Sequence, residues 1–150
     1  MNTRIILFLI GTLFVVSSWA DGNEESEAGS HRRQAPADAK VEFVSPGDGD
    51  VVASEFEVKF SISGMEISPA GTDKANSGHH HLLIDVETLP DPNLPIPKSE
   101  NFIHFGGGQT ETTVSLPPGE HTLQLLFADY SHIPHNPVVK SEVITIHVSE

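Results

Sequence analysis

The stretch "EFEVKFSIS" at residues 55–63 alternates without a break. Phe56, Val58, Phe60 and Ile62 fall on one face, and Glu55, Glu57, Lys59 and Ser61 on the other. A period of two separates apolar from polar side chains only in an extended strand with one face on a core and the other in water. The same period recurs in "HHHLLIDVE", in "EHTLQLLFAD" and in "VKSEVITIHV". No stretch beyond residue 40 carries a helical period, so the chain is committed to β-structure.

Turn signals divide these strands. Pro46-Gly47-Asp48-Gly49 ends "VEFV", four prolines follow residue 87, and Gly106-Gly107-Gly108 stops "NFIHF". Strands are expected at 41–44, 55–63, 79–87, 101–105, 109–116, 120–129 and 139–148. Seven short strands over about 110 residues predict an all-β, immunoglobulin-like antiparallel β-sandwich. Leu116-Pro117-Pro118-Gly119 before a long alternating strand fits a corner of such a domain.

Residues 1–20 stand apart. Arg4 precedes an apolar run from Ile5 to Val16, and Ser17-Ser18-Trp19-Ala20 offers small residues for cleavage after Ala20. This is a signal-peptide pattern, and the run is short of the roughly 20 residues a membrane span needs. Export to the periplasm or medium is therefore expected, with no membrane association after cleavage. Residues 21–39 are acidic, small and polar, and are expected to form a disordered leader. The domain is then 40–150.

The 150-residue chain has a formal charge of -13 and no cysteine. Loss of Arg4 with the signal peptide takes the charge to -14, from -13 minus one. Such acidity disfavours nucleic acid and anionic membranes, which demand Lys/Arg neutralisation. Without disulfides, an exported domain must rely on its core or on a bound metal. The composition leaves the oligomeric state open.

Histidine is the unusual residue. Alternating strand directions bring six of the eight histidines beyond residue 40 to one end: His79, His80, His81, His104, His132 and His135. Residues i and i+2 of a strand point the same way, about 6.6–6.8 Å apart. His79 and His81 form such a pair, while His80 shares the core face with Leu82 and Ile84. The candidate metal ligands are therefore His79, His81, His104, His132 and His135. Neutral imidazoles suit copper or zinc, and such a site weakens as pH falls through the usual histidine pKa of about 6.5.

Bland readings stand beside these. His79 and His81 also read as a solvated strand end, His132 and His135 as braces of a proline-rich loop, and His104 as a support for the glycines after it. His80, His121 and His147 read as structural. Met65 reads as an apolar plug before it reads as a cuprous ligand. Asp129 either orients a histidine or caps the loop that follows it. No G-x-S-x-G, paired carboxylates or phosphate loop is present, so no enzyme is expected.

"SGHHHLLID", "HFGGGQTET", "LPPGEHTLQLLFAD", "HIPHNPVV" and "SEVITIHV" together resemble a bacterial family of exported domains of unknown function, DUF4399, over about residues 41–148. Pro137-Val138 departs from that family's double proline. The resemblance implies a bacterial source and the periplasm, and no activity. "VEFVSPGDGDVVASEFEVKFSISGM" is more distantly similar to periplasmic copper-resistance sandwich domains. Those domains bind copper through an N-terminal histidine, whereas the expected mature terminus here is Asp21, so that likeness implies the fold class and not the ligands.

The expected function is that of an exported non-catalytic β-sandwich binding copper or zinc through clustered histidines. The alternative is a module that binds an envelope protein or a small ligand, in which the histidines stabilise loops.

Overall fold

The computed structural model describes residues 32–150. The expected signal peptide and residues 21–31 of the expected leader lie outside the described residues. Ten strands follow one another and no helix occurs among the described residues. They are β1 (Lys40–Ser45), β2 (Val51–Val52), β3 (Glu55–Ser63), β4 (Glu66–Ile67), β5 (Ser77–Ile84), β6 (Phe102–His104), β7 (Glu111–Ser115), β8 (Gly119–Ala128), β9 (Pro134–Lys140) and β10 (Ile144–Val148).

One sheet has the order β1-β3-β7. The other runs β2-β10-β8-β5-β4, with β6 on β5 and β9 on β8. The alternation of β3 becomes its burial: Phe56, Val58 and Phe60 are buried, while Glu55, Glu57 and Ser61 face water. They meet Leu82, Ile84, Leu123, Leu125, Phe127 and Ile146 of the larger sheet in one core. The two sheets therefore form a sandwich. Each of the large side chains fully buried there contributes about 1.5–3 kcal/mol.

The larger sheet is covered on its outer face too. Ile96, from the proline-rich segment after β5, packs on Leu83, Leu126 and Ala128 in a second cluster. All eight residues of β5 are consequently buried. Strand β5 lies close against β8: a Cβ on Gly78 would stand 2.1 Å from the Ala128 carbonyl oxygen. Only glycine permits that approach.

Ten strands stand where seven were expected, β2 and β4 being additional, and three further differences have clear physical causes. The strand expected at 79–87 ends at Ile84, because Asp85 turns to φ 54° and its Oδ1 accepts the Thr122 amide at 2.9 Å. The strand expected at 139–148 is two strands, β9 and β10, with Ser141 in the break. There the Ser141 Oγ accepts the Leu125 amide at 2.9 Å and its carbonyl accepts Gln124 Nε2 at 2.9 Å. Residues 32–39, expected in the leader, are joined to the domain. Asn136 N donates to Arg33 O and Ala35 N to Asn136 O, both at 2.8 Å, and Ala35 and Ala39 pack on the core. Polar composition hid them because their order comes from backbone pairing with β9.

Candidate metal centre

Three elements carry four histidines to one point. Strand β5 supplies His79 and His81 on its outer face. Strand β6 pairs antiparallel with β5 in the register His81↔His104, which sets those two rings side by side. The loop 129–133 between β8 and β9 supplies His132. All six pairs among these rings have centroids between 4.6 and 5.9 Å apart. One ring nitrogen from each of His79, His81 and His104 lies within 4.8 Å of the others. His132 Nε2 stands 3.0 Å from His104 Nε2.

Local structure explains the placement. The His104 ring lies over the backbone of Gly106, where a Cβ would come within 2.3 Å of its Cε1. His132 has φ 69°, a left-handed conformation that strains a residue with a Cβ. Asp129 imposes it. Its Oδ1 accepts Ser131 N at 2.8 Å, Ser131 Oγ at 2.7 Å and Ile133 N at 3.0 Å. The His132 amide donates to Asp129 O at 3.0 Å, and its carbonyl accepts Ile96 N at 2.9 Å. Asp129 thus caps the loop and touches no imidazole by hydrogen bond.

The rings are buried and poorly partnered. His79 is 0% exposed and His81 2%. Neither nitrogen of His79 has a hydrogen-bond partner, nor does His81 Nδ1. Burial, reinforced by His104 and His132, pushes the His79 pKa down to about 4. Burial and then His79 push His81 down to about 2. Burial, then His132 and Lys98, lower His104. At neutral pH these imidazoles are uncharged and their lone pairs are available. Protons would therefore compete with a bound ion only at a more acid pH than the usual histidine value suggests.

His135 does not join them. It stacks on Phe127, with centroids 6.0 Å apart and planes at 21°. Strand β9 already begins at Pro134. Pro134 lines the outer side with Leu126 and Val138, so the next residue points inward. The expected loop was a strand, and the strand period sends His135 into the core, where it is 0% exposed.

The other histidines among the described residues lie away from this cluster. His80 sits in the core against Phe60 and Phe127, with centroids 4.7 and 5.0 Å away. His121, at the opposite end, bonds Asp85 Oδ2 at 2.7 Å and the Pro117 carbonyl at 2.9 Å. His147 is exposed beside Glu120. Met65 packs against the core. A cleft of about 490 Å³ between β1 and the 140–144 bend is lined by no histidine. The sequence reading missed Arg33, whose signal was only a basic pair in an acidic stretch.

Proteins of known character offer little comparison. No curated protein and no solved structure matches the chain. One family does match, over residues 58–149, which span β5, β6 and the loop 129–133 and so every histidine of the cluster. That match covers most of the chain: the protein belongs to the DUF4399 family, a domain of unknown function.

Proposed function

We propose that this protein is an exported, non-catalytic β-sandwich that binds a transition-metal ion, copper or zinc, through His79, His81, His104 and His132. One observation carries the reading: four imidazoles from three separate elements converge, and buried ring nitrogens among them have no hydrogen-bond partner. Each orphaned buried polar atom costs about 1–3 kcal/mol, and a shared cation would engage them together.

The donor set suits the ions named. Zinc takes imidazole nitrogen at about 2.0–2.1 Å in a tetrahedron, which separates the donors by roughly 3.3 Å. The His104–His132 pair at 3.0 Å is near that spacing, and the triad within 4.8 Å approaches it by ring rotation. Four protein donors fill a tetrahedral shell. Catalytic zinc sites keep a position open, so the set favours holding an ion over acting with it.

A thermal melt of the untagged protein against Zn²⁺, Cu²⁺, Cu⁺ and Ni²⁺ tests this. Low micromolar zinc or copper is expected to raise the melting temperature, and H79A combined with H81A to abolish the gain. A well-folded sample that responds to none of the four ions overturns the reading.

A further inference from the structure

The segment before β1 reaches the metal end. Arg33 donates through Nη2 to Asp73 and through Nη1 to the Lys74 carbonyl at 3.3 Å, both in the loop between β4 and β5. Its Nε lies 3.9 Å from Asp129 Oδ2. Its Cζ lies 4.8 Å above the Tyr130 ring. One guanidinium thus spans two loops, and backbone pairing of Arg33 and Ala35 with Asn136 anchors it to β9.

Asp129 makes that span consequential. It is 2% exposed, and its Oδ1 is committed to three hydrogen bonds within the loop 129–133. Its Oδ2 faces Arg33. A buried carboxylate is costly without a compensating cation. The same loop holds His132 at φ 69°, a conformation that persists only where its surroundings over-determine it.

We infer that Arg33 is a positioning residue for metal retention: it latches the loop between β4 and β5 onto the loop 129–133 and so holds His132 against His104. The inference rests on the metal-binding reading above. Without Arg33 the Asp129 carboxylate turns toward water, the loop relaxes, and His132 withdraws from the ion. His79, His81 and His104 stand on paired strands and stay in place. The ion is then held by three donors for part of the time and leaves faster. A planar fork is needed to reach groups on both loops, and a lysine ammonium cannot reproduce it.

The test compares the untagged wild-type protein with R33A and R33K. Zinc release into excess chelator is followed by stopped flow, and amide hydrogen exchange is measured on the metal-free proteins. Release is expected to be about tenfold faster in both variants, the factor that some 1.4 kcal/mol of lost positioning gives. The Ser131 and Ile133 amides should exchange faster while Leu123 and Leu125 in β8 do not change. Wild-type release rates in R33A, with zinc bound normally, overturn the latch and leave the metal reading intact. R33K behaving as wild type while R33A is fast assigns the effect to net charge and overturns positioning. Faster exchange throughout β8 makes Arg33 a general stabiliser and overturns it as well. A wild-type protein that takes up no zinc removes the metal reading and the latch together.

Discussion

His104 and His132 face each other through their Nε2 atoms, 3.0 Å apart, although one stands on a short strand and the other on a strained loop. Between neutral rings, one nitrogen must donate and the other accept. With a cation between them, both lone pairs serve. The pair therefore joins a fixed half of the site, on β5 and β6, to a loop-borne half.

That division predicts graded losses. H132A removes one donor and leaves three on paired strands. Structural zinc sites bind with about 10–16 kcal/mol in total, so one donor of four corresponds to roughly a hundredfold in affinity. H81A should cost more, since it also leaves a buried void beside His104. Calorimetric titration with zinc checks the order, and equal losses would contradict it.

Gly106→Ala is expected to act on the site alone. Gly106 has no left-handed φ to lose. Its new Cβ would meet His104 Cε1 at 2.3 Å and displace the ring. Metal affinity should fall about tenfold or more, while the stability of the metal-free protein from urea unfolding changes by less than about 1 kcal/mol.

The far end carries a clamp built on His121. Both His121 nitrogens face acceptors, Asp85 Oδ2 and the Pro117 carbonyl, so the doubly protonated ring satisfies both. The Asp85 hydrogen bond leads in raising the His121 pKa. A raised folded pKa gives stability that is complete below the unfolded value of about 6.5 and is lost as pH rises through the folded value. H121Q should cost about 1–2 kcal/mol at pH 6 and less at pH 9, measured by urea unfolding.

His135 has the opposite sign. Burial leads in lowering its pKa, so below about pH 6.5 the unfolded chain binds a proton that the folded chain refuses. Stability should fall on acidification until the folded ring also titrates. H135L keeps an apolar filler beside Phe127 and should lessen the slope of that acid limb, which His79, His80 and His81 share. A slope identical to that of the wild type, measured by urea unfolding between about pH 4 and 7, would contradict a share for His135.

Much of this was legible in the order of residues. Alternation in 55–63 located β3 and its buried face. The parity of the triplet separated His80, in the core, from His79 and His81, on the outer face. Strand reversal placed His104 and His132 at the same end as that pair. His135 was misplaced because Pro134 opens a strand, and a proline there reads as loop until its partner Ala128 is known. The double burial of β5 was hidden because Ile96, which covers it, lies among prolines without periodicity. The attachment of 32–39 was hidden because it combines main-chain pairing, two alanines and isolated arginine contacts, none of which forms a periodic side-chain pattern.

The four imidazoles come from β5, β6 and the loop 129–133, and none of the three holds more than two. An extended chain offers at most the His79–His81 pair, a weak chelate. On the metal-binding reading, high affinity would thus appear only once the sandwich has closed. If the chain crosses a membrane before folding, as proposed, it would arrive empty and collect its ion from the compartment in which it folds. The metal it holds would then report the ions available on that side and at that moment, and the order of folding would act as the protein's means of selection.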